Sequence, residues 1–278
     1  MPEYPPQTLM AELCYPTVPI LDAGALLGGV RRFRPDAELV DGERGAILLS
    51  YREVHEQYPE SRSAPLVNAV TTAVADRTAR DLTHTAWEGA AEALAGCGYS
   101  LLITEFLGRE VDSAVRLAAF GGVLRTVVEA TAPLATWWPA SRQALAPEAV
   151  AADPLRGVVN VRHFPASALN GDDDPDVGMI DTLGLAQLSL PDLQCHFRYL
   201  NSALLDDLFA RVARDMAVTA SPPMAAIRGI TRHQRWPVTA GQPLVGPARP
   251  VLTVDPGAPF AVVTHTRRGT DSRRSACD

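Results

Sequence analysis

Strand-like and helix-like runs follow one another along this chain without regular alternation, and this order most constrains its fold. A regular strand–helix alternation would predict a parallel α/β sheet. The irregular order instead predicts the α+β class, with a mixed, largely antiparallel sheet and flanking helices. We expect one domain over residues 8–255, or two packed subdomains over residues 8–140 and 141–255. The termini, residues 1–7 and 267–278, lack apolar periodicity and are expected to be disordered.

Two helices have the clearest apolar stripes. The first is predicted to begin at Asp112 or Ser113. It lies between strands predicted over residues 99–106 and 131–138, which predicts a strand–helix–strand crossover packed on a sheet. The second helix is predicted over residues 201–216, where leucines, a phenylalanine, a valine and a methionine recur at helical spacing.

Polar side chains alternate with apolar ones on two late strands, predicted over residues 158–164 and 191–197. Residues two apart on a strand share a face. If the two strands are near neighbours in one sheet, their polar side chains form one patch that faces solvent or a ligand. The candidate binding residues of this patch are Asn160, Arg162, Asp192, Gln194 and His196, with Asp181 at its margin.

Each of these side chains has a structural and a functional interpretation. Arg162 is expected to form an ion pair with Asp181 or Asp192, or else to grip an anion. His196 is expected to be a hydrogen-bonded histidine on a half-buried sheet face, or else a general base or ligand contact. Asn160 and Gln194 are expected to satisfy the backbone of neighbouring loops. His163, on the strand predicted over residues 158–164, shares a face with valines and is expected to be a core histidine.

Composition excludes several classes of site. All 25 basic residues are arginine, so Schiff-base chemistry, a lysine general base and the lysine-containing phosphate loop are excluded. The net charge of −7 argues against nucleic acid as the main partner. No apolar run approaches the roughly 20 residues that span a bilayer, and the first residues do not resemble a signal peptide. We therefore expect neither a nucleic-acid partner nor a membrane.

The spacing of the cysteines predicts a protein without a metal site, in a reducing compartment. The cysteines are far apart, which disfavours zinc and redox sites; they are Cys14, Cys97, Cys195 and Cys277. Cys195 and His196 are adjacent on a strand, so they should point to opposite faces and form a poor catalytic pair. An acidic loop at residues 172–176 imitates part of a calcium loop, but Leu183 stands where a glutamate is needed. We expect a cytoplasmic protein with no metal and no cofactor.

Three segments resemble a known family. They are VVNVRHF at residues 158–164, MIDTLGLAQLSLPDLQCHF at residues 179–197 and WWPAS at residues 137–141. Together they resemble an uncharacterised bacterial family, domain of unknown function 4261, and GCGYSLLITEF at residues 96–106 is similar to a strand of that family. The resemblance runs from about residue 10 to about residue 255 and is sharpest over residues 137–197. It implies a bacterial, intracellular protein associated with toxin-immunity or accessory domains, and it brings no catalytic residues.

These observations favour a cytoplasmic, non-catalytic protein-binding or accessory protein of the immunity type. We found no complete catalytic constellation in the sequence, so an enzyme is the less favoured class. The alternative is an enzyme or small-ligand binder that holds an anionic ligand on the polar patch. In that alternative, Arg162 and Asp192 position the ligand and His196 serves as the acid or base.

Overall fold

The computed structural model describes residues 8–41, 46–52, 62–70, 82–106, 112–170 and 174–262. The termini predicted to be disordered, residues 1–7 and 267–278, lie outside the described residues. The described part of the chain forms one antiparallel sheet and one mixed, mostly antiparallel sheet, with flanking helices. The α+β class predicted from the order of the elements is therefore confirmed.

The first sheet has seven strands in the order β2-β3-β4-β5-β1-β6-β7. Its strands are β1 (Met10–Tyr15), β2 (Glu38–Asp41), β3 (Ala46–Arg52), β4 (Arg62–Val70), β5 (Tyr99–Phe106), β6 (Ala135–Trp138) and β7 (Gln143–Leu145). Its helices are α1 (Ala23–Arg31), α2 (Ala90–Ala95) and α3 (Ser113–Thr131). Asp22 caps α1 and Asp112 caps α3 by accepting a backbone N–H through the side chain, as aspartate does at a helix start.

Helix α3 makes the predicted crossover. Strand β1 pairs antiparallel with β5 on one side and with β6 on the other. Strands β5 and β6 are therefore parallel to each other, and α3 carries the chain from one to the other across the sheet. The helix ends at residue 131, and the strand that follows begins only at Ala135.

The second sheet has six strands in the order β11-β12-β13-β10-β9-β8. Its strands are β8 (Asn160–Pro165), β9 (Val177–Leu183), β10 (Asp192–Arg198), β11 (Ala226–Arg228), β12 (Arg235–Gly241) and β13 (Val251–Val254). Helices α4 (Pro147–Ala152) and α5 (Leu155–Val158) connect the two sheets, α6 (Ala166–Asn170) follows β8, and α7 (Ser202–Thr219) follows β10.

One large cluster of buried apolar side chains joins the two sheets. It includes Leu13 and Ile103 of the first sheet, Ile180 and Leu193 of the second, and Phe209 of α7. Helix α7 buries Leu205, Leu208, Phe209, Met216 and two alanines, which confirms the apolar stripe predicted for it, except that Leu204 is exposed. The face of the second sheet that meets α7 is therefore its apolar face.

Two segments differ from what their sequence predicts. The apolar residues of 179–188 predict one strand, but β9 ends at Leu183 because Gly184 has a φ of +124° and a 3-10 turn follows over Leu185–Leu188. Residues 260–264 predict a short strand, which is wrong for the described part, where Ala261 makes a single bridge to Phe197. Residues 263 and 264 lie outside the described part of the chain.

Three cysteines have free thiols in the interior. Cys14, Cys97 and Cys195 are buried, and Cys277 lies outside the described residues. Across the residues that the structure describes, no helix has the length and apolar character needed to cross a membrane.

A close contact between α5 and β6 makes the first testable prediction. A Cβ added at Gly157 would lie 1.9 Å from Cε2 of the buried Trp138 ring. We expect Gly157→Ala to lower the free energy of unfolding by about 3 kcal/mol, since overpacking displaces a large core side chain. Gly28→Ala is the matched control, because a Cβ there meets no atom within 4 Å, and it should raise stability by up to about 1 kcal/mol. Urea unfolding measures both, and equal effects would contradict the packing argument.

Candidate functional site

The six predicted patch residues lie on the same face of the second sheet. Arg162 is directly opposite Asp181, which is directly opposite Gln194. Side chains directly opposite each other in an antiparallel pair share a face. Asn160 lies two residues from Arg162, and Asp192 and His196 lie two residues on either side of Gln194, so all six share it. We name the set of Asn160, Arg162, Asp181, Asp192, Gln194 and His196 the polar row.

The polar row is covered by protein and does not face solvent. Five of its residues are at most 4% exposed, and His196 is half-buried. Residues 242–250 pass over this face, where the N–H of Leu244 donates to Oε1 of Gln194 at 3.0 Å. A Cβ added at Gly246, which has a φ of +84°, would lie 3.1 Å from Nη2 of Arg162. The prediction that these side chains form an open patch is therefore wrong.

Two arginines and two aspartates form a buried charge cluster under this loop. Nε and Nη2 of Arg162 donate to the two carboxylate oxygens of Asp181, at 2.9 and 2.6 Å. Nη2 of Arg249 also donates to Asp181, at 2.6 Å, and its Nε donates to Asp192 at 3.0 Å. The ion pair predicted between Arg162 and Asp181 is confirmed. We name these four residues the Arg–Asp cluster.

Asp192 also fixes the turn that follows β9. Its carboxylate accepts the N–H of Leu185 at 3.1 Å, the N–H of Gly184 at 3.4 Å and the hydroxyl of Thr182 at 3.1 Å. Burial raises the pKa of Asp192 to about 6, while Arg249 and these hydrogen bonds act in the opposite direction. The carboxylate is therefore ionised at pH 7, and its donors compensate the cost of burying the charge.

Asn160 and Gln194 make the backbone contacts that the sequence predicts. Nδ2 of Asn160 donates to the carbonyl of Ser141 at 3.1 Å. Nε2 of Gln194 donates to the carbonyl of Gln242 at 2.8 Å, and also contacts Oγ1 of Thr253 at 3.0 Å. Both side chains hold neighbouring segments in place, which confirms the structural interpretation of these two residues.

His196 lacks the hydrogen bonds expected of it. Both of its ring nitrogens are buried, and neither has a partner among the described residues. Desolvation by burial lowers the pKa of His196 below its usual value. The neighbouring Cys195 lies on the opposite face, where burial raises the pKa of its thiol to about 12, so the two residues form no catalytic pair.

A cavity lies at the edge of β8. Strand β8 is the last strand of its sheet, and of the described strands only β9 pairs with it. A cavity of about 500 Å³ lies beside it, between β7, the segment of residues 83–86 and α7. We name it the edge cavity. Its lining includes residues 159–163, five in succession along β8 and the residue before it.

His163 lines the edge cavity and is held by helix α7. Its Nε2 lies 2.5 Å from Oδ1 of Asp206, and the two side chains are 34% and 48% exposed. The prediction of a core histidine is wrong, because this face of β8 meets α7 beside a polar residue of the helix. The carboxylate orients the imidazole and leaves its other nitrogen available to a ligand.

The lining of the edge cavity has charges at both ends. Arg156 and Arg214 lie at the end where α5 leads into β8, and Asp206 and Asp207 lie near His163. Arg214 pairs with Asp153. Among the described residues, no carboxylate lies within ion-pair distance of Arg156, and its guanidinium is exposed.

Sequence reasoning missed Arg249, Arg156 and the pairing of His163 with Asp206. Arg249 lies in a stretch rich in proline and glycine that has no periodicity to place it. One signal was available: two buried aspartates opposite one arginine leave a carboxylate unpaired, so a second cation is required. Nothing in the sequence indicated that Asp206 would reach His163, since 43 residues separate them.

Comparison with known proteins leaves the function open. No family model, curated protein or solved structure matches the chain. The resemblance to domain of unknown function 4261 therefore stays a prediction. Within the described residues, no group of histidine, cysteine, aspartate and glutamate side chains is arranged to hold a metal ion.

Removing Arg249 should destabilise the fold. Arg249→Met leaves Asp192, and one oxygen of Asp181, without a cation in a buried position. We expect the free energy of unfolding to fall by about 3–5 kcal/mol, the range for breaking a buried ion pair. Arg228→Met, at an exposed arginine of the same sheet, should change stability by less than about 0.5 kcal/mol. A similar loss in both variants, measured by urea unfolding, would contradict a structural role for the cluster.

His196 should make the protein less stable in acid. Because the pKa of His196 is lowered in the folded state, the unfolded chain binds the proton more readily, and stability falls as pH decreases through about 6.5. His196→Phe should reduce this loss between pH 7.5 and 5.5. Asp192 acts in the opposite direction, since its raised pKa favours the folded state at lower pH. Asp192 is present both in the natural protein and in His196→Phe, so the difference between their unfolding curves reports on His196 alone. If the free energy of unfolding changes with pH in parallel in the two proteins, His196 does not cause the loss of stability in acid.

Proposed function

We propose that this chain is a non-catalytic protein-binding protein that takes up an extended peptide segment along the free edge of β8. The observation that carries the proposal is the succession of residues 159–163 along the edge cavity. Successive side chains of a strand point to opposite faces. A cavity that touches each residue in turn therefore lies against the edge of the strand, where backbone groups point outward.

A free strand edge binds extended chains by backbone hydrogen bonds. An unpaired edge presents alternate N–H and C=O groups that an added strand satisfies. Among the described residues, β9 is the one strand that pairs with β8, and the backbone hydrogen bonds made outside helices and strand pairs do not involve residues 160–164. Pro165 lies at the end of β8, so the donors of the preceding residues are not interrupted.

The dimensions of the edge cavity suit a short extended segment. Residues 206 and 214 of α7 both line it, and eight residues of α-helix span about 12 Å. An extended chain rises about 3.3 Å per residue, so this length accommodates three to four residues. A volume of about 500 Å³ lies within the usual range for ligand sites.

A cytoplasmic accessory role of the immunity type is part of the same proposal. The buried free thiols of Cys14, Cys97 and Cys195 support a reducing compartment. The net charge of −7 supports a protein partner over nucleic acid. Three residues of the polar row support the function indirectly. Arg162 and Asp181 join β8 to β9, and Asp192 joins β10 to β9 through Thr182, behind the edge.

The His163–Asp206 pair favours a second candidate. An oriented imidazole at a cavity wall is suited to acid–base chemistry on a small ligand, and the unpaired Arg156 suits an anionic group. One measurement distinguishes this candidate function from the first. His163→Asn would abolish turnover of a small substrate, whereas it would leave backbone pairing along β8 intact.

Filling the edge cavity should abolish peptide binding. Ala210 is exposed and lines the cavity, so Ala210→Trp places a large ring where the peptide would lie. Ala203→Trp is the matched control on the same helix, exposed and outside the cavity. A pool of free tetrapeptides with randomised side chains, measured by native mass spectrometry, should bind to the natural protein and to the control but at least tenfold less to Ala210→Trp.

Hydrogen exchange tests whether the peptide adds as a strand. The amides of β8 that point away from β9 should exchange more slowly when the best tetrapeptide of the pool is bound, while its other amides should change little. Failure of every tetrapeptide in the pool to bind would overturn the proposal. Binding without protection of these amides would exclude strand addition.

A further inference from the structure

We infer that the segment bound at the edge cavity lies antiparallel to β8 and ends in a free carboxylate held at Arg156. This inference rests on the proposed function and adds the direction and the chemistry of the ligand. It depends on the distribution of charge along the cavity, and on where each charge lies along β8.

The basic end of the cavity is the start of β8. Arg156 belongs to α5, which leads directly into β8 at Asn160. Its guanidinium is exposed, lines the cavity and has no partner among the described residues. A guanidinium binds a carboxylate through two parallel hydrogen bonds. This planar geometry suits the carboxylate at the end of a peptide.

The acidic end of the cavity lies farther along β8. Asp206 is tied to His163, and Asp207 follows it on α7 and is exposed. The carboxylate of Asp206 is thus occupied by the imidazole, while the carboxylate of Asp207 makes no ion pair or hydrogen bond among the described residues. An ammonium group or a basic side chain at this end would therefore meet the carboxylate of Asp207.

The charge asymmetry sets the direction of the segment. A carboxyl end at Arg156 and an amino end near Asp207 place the peptide antiparallel to β8. Strand β9 is also antiparallel to β8 on its other edge, so the added strand would continue the antiparallel pattern already present. The opposite direction would place the carboxylate beside Asp207 and the ammonium beside Arg156, which repel them.

The experiment compares four end forms of one tetrapeptide, the best binder of the free pool. The forms have free ends, an acetylated amino end, an amidated carboxyl end, or both modifications. Amidation should weaken binding at least about tenfold, because it removes a charge-assisted hydrogen-bonded pair with Arg156. Acetylation should weaken binding by a smaller factor, since an ammonium group lacks the paired, parallel hydrogen bonds that join a carboxylate to the guanidinium of Arg156.

Protein variants assign the two ends. In Arg156→Met, the free and amidated peptides should bind with equal affinity, whereas Arg211→Met, an exposed arginine of α7 outside the cavity, should keep the difference. In Asp207→Asn, the free and acetylated peptides should bind equally, and Asp215→Asn is the corresponding control on the same helix. Isothermal titration calorimetry measures each pair.

The outcomes separate the inference from the proposed function. If the amidated peptide binds as tightly as the free acid and still protects the β8 amides, strand addition stands and the carboxylate inference is overturned. If amidation weakens binding equally in Arg156→Met and in the natural protein, the carboxylate is held elsewhere and the assignment is overturned. If no form of the peptide binds, the proposed function fails as well.

Discussion

The Arg–Asp cluster is the interaction on which the rest of the second sheet depends. Two carboxylates, Asp181 and Asp192, lie on adjacent strands at 0% and 1% exposure. Charge at such positions is tolerated only when it is paired and hydrogen-bonded. Arg162 comes from the neighbouring strand, but the second cation, Arg249, comes from the chain that follows β12. Pairing of charge therefore brings residues 242–250 across the sheet and closes the polar face against water.

Because that face is closed, the polar side chains that remain accessible lie at the edge of the sheet. Arg162 and His163 are adjacent residues of β8, yet one is buried in the cluster and the other is partly exposed beside Asp206. Polar contacts attach β7 and the turn before it to α5, the helix that leads into β8. Oγ of Ser141 donates to the carbonyl of Gly157 at 2.6 Å, and Nε2 of Gln143 donates to the carbonyl of Arg156 at 2.9 Å. Of the described strands, only β9 pairs with the backbone of β8.

An unpaired strand edge is a risk to a folded protein, since exposed edges promote aggregation. Here the edge lies in a cavity whose other walls are α7 and residues 83–86. His84 packs its ring 4.4 Å from that of Phe164, and Oγ1 of Thr85 accepts the N–H of Ala144 at 3.4 Å. The segment is thus attached to both β8 and β7. These walls cover the edge of β8 on two sides and so restrict its access to the edge of another sheet.

Local patterns in the sequence determined the class of the fold, helices α3 and α7, and the shared face of the polar row. These features depend on the period of a strand or helix and on contacts between residues close in the chain, so the order of residues is sufficient to predict them. The tertiary structure decided whether that face met solvent or protein, which cation paired with Asp192, and that His163 would meet Asp206. Each of these depends on segments tens of residues apart, placed by the packing of the whole core and by the need to pair buried charge.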